Sequence, residues 1–531
     1  MSSSTAYTLT TAIDYVNAPP HVGHAFEKIA ADVMARFMRL QGREVFFLTG
    51  TDEHGMKVEK TAATRNMTPK EHVDDTVRHF KDAWDLLNIH YDRFIRTTDA
   101  DHVAVVQHLW TLLKNSGDIY KASYTGLYCT GCETFLNERD LTEAGHCAIH
   151  QVPPEPVTEE NWFFRLTAYK ERLLEFLNTP GFIQPAFRLP ELLNMVDNLQ
   201  DISVSRPISS VSWGIPVPDD DNQRIYVWID ALSNYITGTG YLHNDALFAK
   251  HWPADCHLIG KDILRFHALY WPAMLMAANL PLPKSLYAHG FINVNDTKIS
   301  KSLGNTVAPQ DILKRFELPN ADPLRYYLMT VSPFGQDGNF TEDDFKAKVN
   351  ADLANNLGNL LNRTLTMAGK FCHGEVPACT DTHDLISEKG EAVPFRSITA
   401  DDLAAVADAY EQFQFQTAAE RIIELVDRGN KLIHQAEPWA LAKVDRHADV
   451  ERVLYAALES LRQVAIVLSP ITPTLCAEIF TQLGYPAGSL EKQSWADVLT
   501  SPLPSGQTLH PAGPILPRLE DELVGAGGKK K

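Results

Sequence analysis

Apolar residues follow two different periodicities near the start of this chain. The segment YTLTTAIDYV at 7–16 reads as a strand, and apolar residues then recur at helical spacing from Val22 to Met38. The short apolar run EVFFLTG at 44–50 is typical of a strand buried in a parallel sheet. These elements predict a βαβ unit, with TGTDEHG at the strand end where open α/β sheets bind ligands.

The sheet pattern returns after a long irregular stretch. RIYVWID at 224–230, DCHLIG at 255–260 and SLYAHGFIN at 285–293 are predicted strands, and DILRFHALYWPAMLMA forms a helix between the last two. Residues 116–225 are irregular and contain cysteine and histidine. We therefore expect this stretch to be an insertion in a nucleotide-binding sheet.

From about residue 346 the pattern becomes wholly helical. Long amphipathic segments occupy 349–371, 403–436 and 450–468, and a polar link separates the first from the others. This arrangement predicts a helix bundle.

Composition and charge narrow the class of protein. A chain of 531 residues with 44% hydrophobic and 22% charged residues predicts several soluble globular domains. There is no signal-peptide pattern, no apolar run long enough for a membrane span, and an odd count of 7 cysteines, so we expect a cytoplasmic protein. The net charge of −19 argues against generic DNA binding, although an acidic protein can still hold a polyanion on local patches.

Two histidines stand where the first helix is predicted to begin. A helix start exposes unpaired N–H groups and the positive end of the helix dipole, which favours an anion such as phosphate. His21 and His24 can donate hydrogen bonds to phosphate oxygens there, and Gly23 leaves room for close approach. A capping or surface role for the two histidines is the alternative.

A second basic motif, KISKSLGN, follows the last predicted strand. Lys298 and Lys301 bracket a serine-bearing turn that can bring two ammonium groups to a polyphosphate as charge builds on it. A solvated basic loop is the alternative when the motif is taken alone. Its position after the last strand, with HVGH after the first, favours nucleotide binding.

A cluster of cysteines and histidine has the spacing of a zinc site. Cys129, Cys132, Cys147 and His150 form C-x2-C-x14-C-x2-H, which can enclose a tetrahedral zinc ion with three thiolates and one imidazole. Because all four positions are filled, the predicted ion is structural. Reduced, unliganded thiols are the alternative.

With HVGH and KISKS in this order, the chain resembles class I aminoacyl-tRNA synthetases, whose signatures are HIGH and KMSKS. Val22 and Ile299 are conservative departures from these signatures. The segments AIDYVNAPPHVGH, TGTDEHG, VWIDALSNYITGTGY, HLIGKDILRFHALYWPAML and AHGFINVNDTKISKSLGN are similar to the methionyl-tRNA synthetase family within this class. The similarity extends over essentially the whole chain.

The resemblance implies an α/β Rossmann-like catalytic core, split by a zinc-knuckle insertion and followed by an all-α helix-bundle anticodon-binding domain. The expected divisions are the first half of the core with HVGH at 1–115, the connective insertion with the zinc knuckle at 116–225, the second half of the core at 226–296, the KISKS loop and stem-contact region at 297–345, the α-helical anticodon-binding domain at 346–520 and a flexible tail at 521–531.

The resemblance also implies the reaction. It is the ATP-dependent activation of L-methionine to methionyl-adenylate, followed by transfer to the 3′ end of tRNA(Met), initiator and elongator. Mg²⁺ is expected to accompany ATP, and one structural Zn²⁺ is expected in the insertion. Neither DNA nor a membrane is an expected partner.

The methionine site carries over from the family as one set of residues. It comprises Ile13, Tyr15, Asp52, Trp228, Ala231, Tyr235, Ile263 and His267. Aromatic walls with few polar groups suit a polarizable thioether. Asp52 would hold the substrate ammonium, although it could instead cap the following helix, and core packing is the alternative for each aromatic residue.

The ATP site carries over in the same way. It comprises His21, His24, Gly260, Asp262, His289, Ile292, Lys298 and Lys301, of which the two histidines and two lysines are the catalytic candidates. Asp262 would bond the ribose hydroxyls or serve as a helix N-cap. Arg206 matches a family arginine near the active site.

Three residues of the helical region carry over as readers of the anticodon CAU. Asn359 and Arg363 lie four positions apart and hence on one helix face, and Trp439 follows a proline at a predicted helix start. An exposed tryptophan can stack on an unpaired base, whereas a tryptophan buried between helices is the alternative. We expect a monomer, because the oligonucleotide-binding domain that makes some relatives dimers is not found.

Rival functions remain open at this point. A small-molecule nucleotidyltransferase could use the HVGH helix start without a helical C-terminal domain. A tRNA-binding protein with an inactive site would be expected to have lost His24, Lys298 or Lys301, which are all present. Class I synthetases for leucine, isoleucine, valine or cysteine are the nearest competitors, although no large editing insertion is found.

Overall fold

The computed structural model describes residues 6–129, 134–136, 140–298, 306–378, 385–393, 395 and 397–520. The strands in these ranges are β1 Ala6–Thr11, β2 Asp14–Tyr15, β3 Glu44–Asp52, β4 Arg93–Arg96, β5 Ile119–Cys129, β6 Thr134–Leu136, β7 Glu155–Phe164, β8 Ile183–Gln184, β9 Ile202–Ser203, β10 Ser205–Pro207, β11 Pro216–Val217, β12 Asp220–Ile225, β13 Cys256–Gly260, β14 Leu286–His289, β15 Ile292–Val294, β16 Thr297–Lys298 and β17 Gly338–Phe340.

The α-helices in the same ranges are α1 Val22–Leu40, α2 Met56–Thr64, α3 Pro69–Leu86, α4 Ala100–Asn115, α5 Lys170–Leu177, α6 Leu189–Asp197, α7 Val227–Leu232, α8 Asn234–Gly238, α9 Asp245–His251, α10 Trp271–Ala277, α11 Pro309–Arg315, α12 Asp322–Thr330, α13 Glu342–Val349, α14 Gly358–Phe371, α15 Ala400–Glu411, α16 Phe415–Ala436, α17 Pro438–Leu441, α18 His447–Leu468, α19 Pro473–Gln482 and α20 Asp497–Thr500. Two π-helical turns, Phe266–Tyr270 and Asn350–Leu357, precede α10 and α14.

A parallel sheet forms the centre of the N-terminal half. Its strand order is β2-β3-β1-β13-β14-β8, and β4 also pairs with β3. The chain runs from β1 through α1 to β3 on one side, and β13 lies on the other side of β1. The carboxyl end of β1 is therefore a topological switch point, where open α/β sheets place their ligands.

Both faces of this sheet are covered, as the apolar run of β3 predicts. The neighbouring residues Phe47 and Leu48 point to opposite faces and belong to different clusters of buried side chains. Phe26 of α1 packs in the first cluster, whereas Leu109 of α4 and Trp271 of α10 pack in the second. The ligand-binding edge is consequently held between two layers of helices.

One predicted strand, RIYVWID, is wrong in its second half. β12 ends at Ile225 and belongs to a small antiparallel sheet of order β10-β12-β11, and residues 227–232 form the helix α7. A short apolar run fits a buried helix as well as a strand, and here the helix is the outcome. SLYAHGFIN likewise divides into two strands, β14 and β15, rather than one.

The range expected to be an insertion has two parts. The strands β6-β5-β7-β9 form a separate antiparallel sheet, but β8, which lies in the same range, pairs in parallel with β14 of the main sheet. Residues 183–184 therefore belong structurally to the main sheet. The predicted division at 116–225 does not separate the two.

The C-terminal region is helical, as expected. The predicted segment 403–436 is two helices, α15 and α16, because Phe413 adopts a left-handed φ of 57° between them. The helices α14, α16 and α18 pack around a shared apolar core that is continuous with the core beneath α1. None of the helices in the described part of the chain has the length and apolar character needed to cross a bilayer.

A buried ion pair joins α1 to this helical region. Arg325 of α12 donates to Asp32 of α1 at 2.7 Å, and neither side chain is exposed. The same guanidinium donates to the carbonyl oxygens of Leu87, Pro470 and Ile471 at 3.1, 3.0 and 2.9 Å. One side chain thus connects the first helix, the α3 end and the α18–α19 turn.

Candidate active site

A cavity of about 1030 Å³ lies at the carboxyl ends of β1 and β3. Its lining includes every residue predicted to bind methionine: Ile13, Tyr15, Asp52, Trp228, Ala231, Tyr235, Ile263 and His267. Asp262 and Arg206 also line it. Residues from five separate regions of the chain are therefore brought to one site.

Tyr235 and His267 form the polar end of the aromatic wall. His267 Nδ1 lies 3.0 Å from the carbonyl oxygen of Ile263, so this nitrogen is a donor. Burial lowers the pKa of His267 to about 4, so the ring is neutral and its Nε2 accepts the hydrogen bond from Tyr235, whose hydroxyl lies 2.7 Å away. The wall of the cavity is consequently polar but uncharged at this point.

Trp228 is held in place by the ring of Phe266, which is not among the residues predicted for the site. Phe266 stacks on Trp228 with ring centroids 3.6 Å apart and an interplanar angle of 7°. Both residues line the cavity. Phe266 lies one residue before a predicted site residue in an apolar helix, and that local pattern gives no signal that distinguishes it from core packing.

Asp52 is the last residue of β3 and precedes a tightly held loop. It pairs with Tyr15 in the register of β2 with β3. The next residue, Glu53, is buried and accepts two hydrogen bonds from Arg96 at 2.6 and 2.9 Å. The following helix α2 has Gly55 as its N-cap and no side-chain capping bond, so Asp52 does not cap it.

Arg206 is a buried residue in the lining of the cavity. It is 4% exposed, and its guanidinium lies 4.3 Å from the ring centre of Tyr226. Its Nη1 donates to Ser203 Oγ and to the carbonyl oxygen of Ser205, both at 2.8 Å. The side chain is therefore fixed in position by its own strand and the neighbouring ring.

The two histidines of HVGH cap the helix on which they stand. His21 Nδ1 accepts from the backbone N–H of Gly23, and His24 Nδ1 accepts from the backbone N–H of His21, both at 3.1 Å. These two reciprocal bonds form a capping box, so the histidines have the capping role that was considered as an alternative. It also fixes the neutral tautomers, because a ring that accepts at Nδ1 carries its proton on Nε2.

The segment that follows the lysine motif contacts this helix start, and the beginning of the motif lies in a strand. Lys298 ends β16, which pairs with β15. After the motif, the carbonyl oxygen of Val307 accepts from the backbone N–H of Val22 at 2.9 Å, between the two histidines. Lys301 lies outside the described residues, as does the side chain of Lys298.

The predicted ribose and adenine residues meet at the ends of β13 and β14. Gly260 pairs with His289 in the strand register, and a Cβ on Gly260 would lie 2.8 Å from Asp262 Oδ1. Gly260 is also the N-cap of the short helical turn that follows, and no side chain caps that turn, so Asp262 is not an N-cap. Ile292 is buried in β15.

A buried charged cluster beneath this region was missed by the sequence reasoning. Lys28 Nζ donates to Asp14 Oδ1 at 3.1 Å and to Glu27 Oε1 at 2.6 Å, and Glu27 Oε2 lies 3.0 Å from His289 Nε2. Burial raises the pKa of Asp14 to about 7 despite the charge of Lys28. In the sequence, the only signal is the adjacent charged pair Glu27 and Lys28. This pair stands on α1, which is otherwise buried on nearly every side.

Three of the four predicted metal ligands converge at the end of β5. The Sγ atoms of Cys129 and Cys147 each lie 3.8 Å from His150 Nδ1, and all three ligand atoms lie within 4.8 Å of one another. The backbone N–H of His150 also donates to Cys147 Sγ at 3.5 Å. Cys132 lies outside the described residues.

The three predicted anticodon residues lie together on the helical region. Asn359 and Arg363 stand on α14, and the guanidinium of Arg363 lies 6.0 Å from the ring centre of Trp439 on α17. Asn359 is exposed, whereas Trp439 is half-buried and packs partly on the helical core. The tryptophan is thus neither fully buried nor fully free of the core.

Comparisons with known proteins agree with this geometry. The family described as tRNA synthetases class I (M) matches residues 7–148 and 140–365, and the anticodon-binding domain of tRNA ligase matches residues 395–509. A methionine–tRNA ligase of Synechocystis sp. is 44% identical, with 98% of each chain covered. The chloroplastic/mitochondrial methionine–tRNA ligase of Arabidopsis thaliana is 41% identical, with 97% of this chain and 83% of the relative covered.

Solved structures are similar over the same extent. The Mycobacterium tuberculosis methionyl-tRNA synthetase in complex with methionyl-adenylate is 38% identical, with a TM-score of 0.86 and coverage of 97% of this chain and 100% of that one. The apo form of the same enzyme gives a TM-score of 0.80. The likeness includes both the parallel-sheet catalytic region and the helical C-terminal region.

Proposed function

Because this chain belongs to the methionyl-tRNA synthetase family of class I, we propose how its own residues divide the work of that family. The activity is the ATP-dependent activation of methionine and its transfer to tRNA. The family predicted from the sequence is confirmed by these matches. The single observation that supports the residue assignments best is that every predicted methionine residue lines one cavity.

The methionine side chain occupies the aromatic part of this cavity. Ile13, Trp228 and Ala231 supply apolar contacts that suit a thioether. Tyr235 and His267 offer polar atoms without a charge, since burial keeps the imidazole neutral. Asp52 and Tyr15 complete the list of assigned residues, with the Asp52 carboxylate binding the substrate ammonium.

ATP lies between the start of α1 and the ends of β13 and β14. His21 and His24 donate from Nε2 to phosphate oxygens, since both Nδ1 atoms accept backbone hydrogen bonds. Asp262 bonds the ribose hydroxyls, and Gly260 leaves the space that this carboxylate needs. His289 and Ile292 lie against adenine.

The lysine motif completes the phosphate site. The ends of the motif stand at β16 and at Val307, which is bonded to Val22 of the helix start. Lys298 and Lys301 stabilise the charge that develops on the leaving pyrophosphate. Arg206 remains a further active-site residue in the lining of the cavity.

The first step needs no general base, because the methionine carboxylate is already ionised. A carboxylate oxygen attacks the α-phosphorus, the bond from that phosphorus to the bridging oxygen breaks, and pyrophosphate leaves with the electron pair. Mg²⁺ would accompany ATP and would supply neutralisation of phosphate charge. The protein acts by positioning and by stabilising developing charge. A hydroxyl of the 3′-terminal ribose of tRNA then attacks the activated carbonyl and gives up its proton, the bond from that carbonyl carbon to the phosphate oxygen breaks, and AMP leaves.

The cysteine cluster would hold a structural Zn²⁺. Zinc bonds of about 2.3 Å to sulfur and about 2.0 Å to nitrogen require ligand atoms about 3.5 Å apart. The 3.8 Å separations of Cys129 and Cys147 from His150 fit this requirement. Cys132 would supply the fourth ligand, and the ion would hold the end of β5 to the loop before β7.

The helical region reads the tRNA anticodon through Asn359, Arg363 and Trp439. The half-buried Trp439 packs partly on the helical core, and the guanidinium of Arg363 lies 6.0 Å from its ring centre. A planar ring in this setting can stack on an unpaired base while the arginine and asparagine contact base edges. The domain divisions, the monomeric state and the cytoplasmic location stay predictions.

ATP–pyrophosphate exchange with each of the twenty amino acids tests this proposal. Methionine should support exchange and the other amino acids should not; exchange with leucine, valine or cysteine at a similar rate would contradict the pocket assignment. Lys301→Ala should depress exchange far more than methionine binding, measured by equilibrium titration. An unchanged exchange rate in that variant would remove the lysine motif from the mechanism.

A further inference from the structure

Four polar side chains are buried directly behind the methionine pocket and belong to neither substrate site. They are His54, His102, Asp230 and Thr237, with 7%, 0%, 1% and 0% of their surface exposed. Asp230 Oδ2 lies 2.6 Å from His54 Nδ1, and Asp230 Oδ1 lies 2.8 Å from His102 Nε2. His102 Nδ1 lies 3.2 Å from Thr237 Oγ1, and we call this connected set the clamp.

The clamp reaches the segments that carry the walls of the pocket. His54 follows Asp52 by two positions on the loop after β3. Asp230 stands on α7 between Trp228 and Ala231, which line the cavity. Each contact of the central carboxylate thus ties one part of the pocket to another.

The last member of the clamp extends it to α8. Thr237 stands on this helix two positions after Tyr235, which lines the cavity. The Thr237 carbonyl oxygen also accepts a hydrogen bond from Arg93 of β4 at 3.2 Å. The clamp therefore connects α8 to the same carboxylate that holds the loop after Asp52.

The carboxylate of Asp230 is ionised in spite of its burial. Burial raises its pKa, but the charge of His54 and the hydrogen bonds from both histidines outweigh burial, so the pKa lies below its ordinary value. An apolar side chain of similar size could fill such a space with equal or better stability. What the carboxylate adds is a fixed geometry between the groups that donate to it.

The arrangement does not suit a metal. The nitrogens of His54 and His102 that would bind an ion instead face the Asp230 oxygens at 2.6 and 2.8 Å. Among the described residues, the group of side chains placed to bind a metal ion is Cys129, Cys147 and His150 in the insertion. The clamp is therefore a structural connection between pocket walls.

We propose that Asp230 is a positioning residue for methionine binding, which sets the span between the Asp52 carboxylate and the walls that contact the thioether. This inference rests on the methionine site proposed above. Loss of the carboxylate releases the contact between α7 and the loop that directly follows Asp52, so the ammonium and the side chain of methionine are no longer held at a fixed separation. ATP does not use that span, and its binding should be spared.

The variant Asp230→Asn tests this in the ATP–pyrophosphate exchange assay of the full chain. We expect the KM for methionine to rise about tenfold or more, equivalent to about 1.4 kcal/mol, with the KM for ATP within about twofold of the unaltered chain. His54→Gln, which leaves the contact with His102, should give the same selective effect. The methionine KM of the double variant should be no higher than that of Asp230→Asn alone, because both substitutions break the same connection.

The matched control is Asp402→Asn in the helical region. Asp402 on α15 accepts hydrogen bonds from Arg428 at 3.0 and 2.8 Å, far from the pocket. This change should lower the thermal midpoint without altering either KM. If Asp230 had a purely structural role, Asp230→Asn would likewise lower the thermal midpoint and leave both KM values unchanged.

Several outcomes would overturn the inference. A folded Asp230→Asn variant with a methionine KM within twofold of the unaltered chain would do so, as would an equal rise of both KM values. If Asp230→Asn does not fold, His54→Gln decides by the same criteria. Lack of methionine-dependent exchange in the unaltered chain would instead overturn the proposed function and not this inference alone.

Discussion

Replacing Arg325 with methionine tests whether the two halves of the chain are joined by the buried ion pair. The change removes the guanidinium but keeps an unbranched apolar chain in the space. Asp32 loses its 2.7 Å contact, and the carbonyl oxygens of Leu87, Pro470 and Ile471 lose their donor.

The expected cost follows from burial. Breaking a fully buried pair by removing one partner costs about 3–5 kcal/mol, whereas solvent-exposed pairs are worth about 1 kcal/mol or less. Burial opposes ionisation of Asp32, but the charges of Arg36 and Arg325 lower its pKa to about 2, so the carboxylate is charged at neutral pH. In Arg325→Met it keeps Arg36 and the backbone N–H of His90, which places the expected loss at about 4 kcal/mol.

Urea unfolding followed by circular dichroism measures this loss as the change in the free energy of unfolding. The matched control is Arg36→Met, because Arg36 donates to the same Asp32 oxygen at 2.7 Å but its side chain is 18% exposed. We expect a smaller loss of about 2 kcal/mol for the control, between the values for a surface pair and a fully buried pair. A loss below about 1 kcal/mol for Arg325→Met, or one equal to the control, would refute the reasoning.

Further predictions concern the active site, the metal and the tRNA. Gly260→Ala should raise the KM for ATP about tenfold and spare methionine binding, because the new Cβ would lie 2.8 Å from Asp262 Oδ1; an unchanged KM in exchange kinetics would contradict this. The imidazole of His267 takes up a proton near pH 6.5 in the unfolded chain but only near pH 4 in the folded chain. The free energy of unfolding should therefore fall by up to about 3 kcal/mol as the pH falls through that window. His267→Gln should show a shallower pH dependence of unfolding, and equal slopes would exclude His267 as the source. Trp439→Ala should spare pyrophosphate exchange and weaken tRNA charging, and equal loss of both would indicate misfolding instead. Elemental analysis should find one zinc per chain, and its removal by a chelator should lower the thermal midpoint; a metal-free chain of unchanged stability would contradict a structural ion.

The sequence predicts the elements that have a clear period. The first helix, predicted from apolar residues between Val22 and Met38, is observed as α1 from Val22 to Leu40. The short runs at 44–50 and 255–260 are strands of the parallel sheet, because uninterrupted apolar residues are what a sheet covered on both faces requires. The family resemblance then placed eight residues that all line one cavity.

The parts that could not be predicted depend on contacts between distant positions. Nothing within RIYVWID reveals that Asp230 meets His102 and His54, which lie 128 and 176 positions away. Those contacts supply hydrogen-bond donors to a carboxylate on a buried, apolar helix. From the local pattern alone, a charged residue at this position would not be placed in a core. Lys28 is a similar case, since its charge is balanced by Asp14 and Glu27 only after folding.

The hydrogen bond from Val22 to Val307 ties the far end of the lysine motif to the helix start, and the pairing of β16 with β15 ties the near end. Covalent geometry keeps the Cα atom of Lys301 within about 11 Å of that of Lys298. An ammonium group on so short a tether has an effective concentration in the millimolar range at its target. Free amines at micromolar concentration are therefore no substitute for it, and rescue of Lys301→Ala by an added alkylamine would demand at least millimolar concentrations.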